Sequence, residues 1–252
     1  MSLKDAIYNF VLLKFDSIKK EFEDISIEAK KALIKLSRGN RKVYSIYKEN
    51  HLSQTKGKAI YKELFDKNII KKELSREKPL KLHPKQKLKK ELRDYVIEDK
   101  IKFCKNFHRF WFTFIEPNIW DLEAKNYEKV SNIISKEFEK FVSFEFENLS
   151  ERLIAKIFYQ TENFGSFWTK DVEIDLLFKT KDDLLIAGEV KWKTHQVCKN
   201  ILTILQKKCE REGLKIDFFA LFSKSGFSKK LHNIKNEKVL LFELKDFKIL
   251  YM

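Results

Sequence analysis

Between Phe167 and Trp192 the chain passes through three short stretches rich in apolar and aromatic residues, Phe167–Thr169, Val172–Phe178 and Leu184–Trp192, separated only by polar turns. Consecutive runs of that length and composition predict β-strands. Lys181-Asp182-Asp183 supplies a polar hairpin turn between the second and third. The flanks narrow the choice further. Lys136–Tyr159 reads as a long helix before the strands, and Thr194–Glu212 as a helix after them, closed by Gly213. Ile216–Phe222 is wholly apolar and long enough only for a buried strand. Phe227–Ile234 reads as helical and Val239–Phe242 as a fifth strand. The order αβββαβ predicts a mixed sheet with helices, an α+β or α/β domain over residues 131–252.

Two of these strands carry acidic clusters, Glu173-Ile174-Asp175 and Glu189-Val190-Lys191. Strand side chains alternate faces, so Glu173 and Asp175 are expected on one face, and Glu189 and Lys191 on one face of the next strand. Paired as a hairpin, they bring three carboxylates and one ammonium to one patch of sheet. Carboxylate oxygens are the ligands a hard divalent cation takes, and a lysine beside them polarises a water or a phosphate. The same residues also make plain cross-strand ion pairs.

Composition bounds the setting. The 252 residues suffice for one large domain or two ordinary ones, and 43% apolar residues with 23 Phe supply a core. Only 6 Gly and 3 Pro favour long helices and short connections over a Gly-rich phosphate loop. The three cysteines, Cys104, Cys198 and Cys209, contain no C-x-x-C, which points away from structural zinc and toward a reducing compartment. No apolar run reaches the ~18–20 residues of a membrane span, and the N-terminus has no signal-peptide core, so a soluble, cytoplasmic protein is expected. The net charge of +15 attracts polyanions, nucleic acid first, with an acidic protein or a membrane surface as rivals and a lysine bias that binds nothing as the plainest account.

The N-terminal part reads as a second module. Residues 1–38 show helical periodicity, Val43–Glu49 a short helix, and Asn50-His51-Leu52 a turn. Ser53 caps a helix over Gln54–Lys67 that Asn68 stops. Ile69–Leu74 and Leu80–Leu82 then read as two small strands. This order is that of a winged helix-turn-helix over residues 1–94, with Gln54, Lys56, Lys58 and Lys62 on the recognition helix and Lys72, Arg76 and Lys78 on the ribbon as DNA contacts. Residues 71–90 hold nine Lys or Arg against two Glu, a local charge of +7 suited to phosphates, although a charge run is usually a solvated face. Residues 84–93 read as a lysine-rich linker. Residues 95–130 form an aromatic-rich helical connector: Tyr95–Ile97 as a strand, then a helix from Asp99 to Phe114 carrying Phe103, Phe107, Phe110, Trp111 and Phe114. Packing in a core accounts for those aromatics better than stacking on bases.

Asp175 followed by Glu189-x-Lys191 after a hairpin resembles the signature of the PD-(D/E)XK nuclease-like superfamily, with Ile174 where the superfamily's proline stands. Three further stretches occur in order: Tyr95-Val-Ile-Glu-Asp99, Phe110-Trp-Phe-Thr-Phe-Ile-Glu-Pro117, and Trp168…Glu173-Ile-Asp175…Gly188-Glu-Val-Lys-Trp192. In these the chain is similar to an uncharacterised family found C-terminal to archaeal-type AAA ATPases, a winged helix followed by a nuclease-like domain. This chain has no G-x-x-x-x-G-K-[ST] of its own. The resemblance implies Mg²⁺ (or Mn²⁺) held by Asp175, Glu189 and a helix carboxylate, with Lys191 positioning or deprotonating the nucleophile. The family's Phe-Glu matches Phe146-Glu147. On a helical projection Val142, Phe146, Leu149, Leu153 and Ile157 form one apolar stripe and Phe144, Ile154 and Phe158 another, with Glu147 and Glu151 on the second. Glu147 is the first choice as third catalytic carboxylate and Glu151 the alternative, while Glu173 is an extra ligand or a neighbour of the ligands.

The leading expectation is therefore a DNA-binding protein with a metal-dependent nuclease-like domain that hydrolyses DNA phosphodiesters. The rival is a non-catalytic DNA-binding regulator or adaptor with a degenerate nuclease fold, working with an ATPase in trans. A docking module for an acidic partner is a third reading, and a homodimer is compatible with each.

Overall fold

The computed structural model describes residues 2–39, 41–42, 53–81, 83, 85–158, 164–234 and 238–251. The chain is a mixed α+β protein that divides into two compact units, Met1–Leu74 with Glu98–Phe141, and Ser75–Ile97 with Val142–Met252. Among the described residues no helix is long and apolar enough to cross a membrane.

In the first unit helices α1 (Leu3–Ile7), α2 (Phe15–Lys19) and α3 (Ile27–Ser37) precede α4 (Gln54–Asp66). α4 starts where its cap requires: Ser53 Oγ accepts from the Lys56 N–H at 3.3 Å. Asn68 ends it with a left-handed φ of 54°. The expected helix at 43–49 and turn at 50–52 lie outside the described residues. Strand β1 (Ile70–Glu73) pairs antiparallel with β2 (Lys100–Phe103) rather than with Leu80-Lys81, and Tyr95–Ile97 is not a strand. The pairing buries Ile101 fully and sets the Lys102 ammonium of β2 2.9 Å from the Glu73 carboxylate of β1. The helix expected from Asp99 therefore starts only at Asn106, as α5 (Asn106–Phe110) continuing into a π turn over Trp111–Ile115. The aromatic run is core: Trp111, 0% exposed, stacks on Phe22 at 4.6 Å and faces Phe15 at 6.1 Å. Helix α6 (Ile119–Glu123) leads to α7 (Tyr127–Ile157), which starts earlier than the expected Lys136 and runs from the first unit into the second.

The second unit is a five-stranded sheet in the order β3 (Phe164–Trp168), β4 (Glu173–Lys179), β5 (Leu185–Lys191), β6 (Phe218–Ser223), β7 (Val239–Glu243). The β3–β4 and β4–β5 pairs are antiparallel, β5–β6 and β6–β7 parallel. Helix α8 (Lys199–Arg211) supplies the crossover between β5 and β6, and α9 (Lys229–Asn233) lies in that between β6 and β7. One face of the sheet packs Ile174, Leu177, Ala187 and Leu221 against Leu202, Leu205 and Cys209 of α8. The other packs Leu176, Phe178, Ile186 and Phe222 against Phe146, Leu153 and Ile154 of α7. Phe158 joins Phe146 in that same cluster, so the two apolar stripes expected on α7 are one broad buried face.

Residues 75–97 count with the sheet unit, whereas the sequence borders were set at 94 and 130. Arg76 explains the attachment. Its guanidinium donates to the carbonyls of Leu177 at 2.8 Å, Gly165 at 2.8 Å and Ser166 at 2.9 Å. These carbonyls surround the place where the β3–β4 register slips by one residue and the ladder cannot satisfy them.

Candidate active site

The register slip also shapes the acidic patch. Phe167 pairs with Ile174 but Gly165 with Leu177, so β4 carries one residue more than β3 across this span, at Asp175-Leu176. Ile174 and Leu177 consequently face α8 while Leu176 faces α7, and the strict alternation that would align Glu173 with Asp175 is broken. Glu173 is exposed at the first position of β4.

On β5 alternation is intact. Leu176 lies opposite Gly188, and Asp175 and Glu189 are the next residues of the two strands. Gly188 permits the close approach: a Cβ there would lie 3.1 Å from the Ala220 carbonyl oxygen and 3.3 Å from Leu176 Cβ. Asp175 Oδ2 accepts the Val190 N–H at 2.8 Å, a bond that fixes its carboxylate beside the next strand. Lys191 Nζ donates to Glu189 Oε1 at 2.7 Å and stands 3.7 Å from Asp175 Oδ2. Asp175, Glu189 and Lys191 are thus brought together.

A fourth group joins them that the sequence reading omitted. Lys208 of α8 donates to Glu189 Oε2 at 2.9 Å, so both oxygens of this buried carboxylate meet an ammonium. The sequence carried a signal for it: Lys208 borders the apolar stripe Leu202, Leu205, Cys209, on the side of α8 that must meet the sheet. The neighbouring Cys209 thiol is pushed up to about 11, chiefly by burial, and is not a nucleophile at neutral pH.

The electrostatics follow from crowding. Burial raises the Asp175 pKa, and the Glu189 charge raises it further, against the opposing pull of Lys191, the Val190 N–H and Lys208. For Lys191 burial alone would favour the neutral amine, but Asp175 and Glu189 outweigh it and hold the ammonium above its ordinary value, with Glu147 as the last contributor. Glu147 is half-buried on α7 and in electrostatic reach of Lys191; Glu151, one turn further on, is also half-buried.

Among the described residues no three His, Cys, Asp or Glu side chains gather closely enough to hold a metal ion. Mg²⁺ needs no all-protein cage, because it binds through one or two carboxylates and fills its octahedron with water and substrate phosphate oxygens. Asp175 and Glu189 offer that donor set, and Asp175 Oδ1 has no hydrogen-bond partner among the described residues.

In the first unit Gln54, Lys58 and Lys62 of α4 line one cavity of about 660 Å³ together with Tyr61, Phe65 and Lys72. Acidic groups share it: Asp66, Glu98 and Asp99, the last 3.9 Å from Lys72. Lys56 is exposed and does not line this cavity. Lys78 is exposed in the second unit, and Arg76 is committed to the carbonyls around the β3–β4 slip.

The family model DUF234, archaea bacterial proteins of unknown function, matches residues 111–204. The matched span, under half of the chain, includes Glu147, Asp175, Glu189 and Lys191 but ends short of Lys208. No curated protein and no solved structure matches the chain.

Proposed function

We propose that this chain is a DNA-binding protein whose sheet unit is a PD-(D/E)XK-type domain that hydrolyses phosphodiester bonds with Mg²⁺ or Mn²⁺. The observation that carries this reading is that Asp175 and Glu189, on neighbouring strands, meet one ammonium, Lys191, 2.7 Å from Glu189 and 3.7 Å from Asp175. Asp175 and Glu189 would hold the ion, with Glu147 as the helix carboxylate in electrostatic reach of Lys191. Bound there, such an ion acidifies a water and stabilises charge on the scissile phosphate.

The chain's own residues divide the remaining work. Lys191 stays protonated at neutral pH because two carboxylates hold its pKa up, so it serves as a charged hydrogen-bond donor to water or phosphate rather than as a base. The Val190 N–H orients Asp175. Lys208 balances Glu189 before substrate arrives. In the first unit Gln54, Lys58 and Lys62 on α4, with Lys72 on β1, form the DNA-contacting face of a winged helix; Lys56 lies apart on the same helix.

A second reading has its own observation. Both Glu189 oxygens are already paired with lysines, as in a closed ion-pair network, which suits a degenerate nuclease fold in a DNA-binding regulator or adaptor that works with an ATPase in trans. Cleavage separates the two. With Mg²⁺ the purified protein is expected to nick supercoiled DNA, to stop on chelation, and to lose roughly 100-fold or more in rate as Lys191→Ala or Asp175→Ala. A wild type inert on supercoiled, nicked, branched and single-stranded DNA would leave the adaptor reading standing and remove the hydrolase.

A further inference from the structure

The segment Ser75–Ile97 reads in sequence as linker and wing, yet it packs with the sheet unit. It carries eight Lys or Arg against three Asp or Glu. Arg76 pins its start to the carbonyls around the β3–β4 slip, and the Tyr95 hydroxyl donates to Glu77 at 2.7 Å, drawing its two ends together. Near its end the Lys170 ammonium, just past β3, donates to the Glu91 carbonyl.

Between these ties the segment encloses two open clefts. One, of about 590 Å³, is lined by Lys81, Lys85, Lys87 and Arg93. The other, of about 600 Å³, shares Lys87 with it and adds Lys89, Lys170 and Asp171. Lys81, Lys85, Lys87, Lys89 and Arg93 are exposed, and none forms an ion pair among the described residues. Glu91 and Asp171 line the second cleft, and Arg211 of α8 pairs with Asp171 at 2.8 Å, whereas no carboxylate lines the first. The contrast with α4 decides where phosphates are held: there Lys58, Lys62 and Lys72 share their cavity with Asp66, Glu98 and Asp99.

The clefts also lie near the carboxylate pair. Asp171 is four residues from Asp175, so their Cα atoms are at most about 14 Å apart. Arg211, which holds Asp171, stands one helical turn beyond Lys208, which holds Glu189. That distance is about four steps of duplex DNA at ~3.4 Å rise.

We infer that the 81–93 cleft grips the DNA backbone a few nucleotides from the bond presented to Asp175 and Glu189, and that it supplies most of the chain's phosphate contacts. This rests on the DNA-binding reading above but not on its hydrolysis. The test is therefore binding in chelator, where nothing is cut. Fluorescence anisotropy of a labelled 20-base-pair duplex is followed against salt for wild type, for the exposed-residue variant Lys81→Gln/Lys85→Gln/Lys87→Gln/Arg93→Gln, and for Lys58→Gln/Lys62→Gln. The cleft variant should lose at least about tenfold in affinity at 0.1 M salt, and the slope of log K against log salt should shrink by about 3.6, near 0.9 for each of four lost phosphate contacts. The α4 variant removes two DNA-contacting lysines and should lose less affinity than the cleft variant, with a slope change of at most about 2. Unchanged affinity and slope in a cleft variant with a wild-type melting curve would overturn the inference, as would a larger loss from the α4 pair. A protein that binds in this pattern but cuts nothing with Mg²⁺ keeps the cleft and loses the hydrolase.

Discussion

The carboxyl group of Asp175 is held where its ionised form is disfavoured, and this has a definite sign in stability. Its folded pKa lies above the ordinary 3.8, first through burial and then through Glu189, so across the interval between those values the folded chain binds the proton more tightly. The contribution to stability is present below the ordinary value and is lost as pH rises through the raised one. At pH 7 the ionised Asp175 is a net cost. Asp175→Asn keeps an oxygen to accept the Val190 N–H and removes the charge, so it should raise Tm at pH 7, with the gain shrinking toward pH 4 in calorimetric scans. Lys208→Met should do the opposite: it leaves Glu189 with Lys191 alone and should cost about 1–2 kcal/mol in urea unfolding, between the values for exposed and buried pairs. At this scale the sequence disclosed Asp175, Glu189 and Lys191 because strand alternation alone sets the Glu-x-Lys pair. The apolar stripe of α8 marks the side on which Lys208 lies but not its partner, which is 19 residues away across a helix–sheet interface.

Elements were legible where one face is buried and one period dominates. The αβββαβ order, the Lys181-Asp182-Asp183 turn and the Ser53 cap all reappear in the fold. The bulge in β4 did not announce itself, since an extra residue changes register without changing composition. Nor did the pairing of β1 with β2, which joins segments separated by the whole of 74–99. Two substitutions probe these features. Arg76→Ala strips three hydrogen bonds from the carbonyls at the slip and should destabilise by about 2–4 kcal/mol, and Arg76→Lys should recover little, because one ammonium does not reproduce the guanidinium fork. Hydrogen exchange should show amides of β3 losing protection in both. Gly188→Ala places a methyl 3.1 Å from the Ala220 carbonyl oxygen and should cost about 1–3 kcal/mol, read in the same urea titration.

Across the whole molecule, a formal charge of +15 does not say where a polyanion sits. In the α4 cavity lysines meet carboxylates, whereas no carboxylate lines the cleft of Lys81, Lys85, Lys87 and Arg93 on the unit that holds the acidic pair. Charge counting along the chain found the basic stretch and assigned it to the winged helix. Its packing depends on Arg76 reaching carbonyls some 90 residues further on, a relation visible only in three dimensions. On the proposed reading, most phosphate contacts and the hydrolysis would belong to the sheet unit.

That last step rests on Asp175 and Glu189 accepting a divalent cation, and Mn²⁺ uptake followed by electron paramagnetic resonance measures it without reference to turnover. Wild type should bind Mn²⁺ at one site that weakens as pH falls and the raised Asp175 carboxyl takes up its proton. Asp175→Asn should lose that site, while Asp182→Asn, on the exposed turn between β4 and β5, should keep it. Equal uptake by wild type and Asp175→Asn, or none by either, would contradict the account.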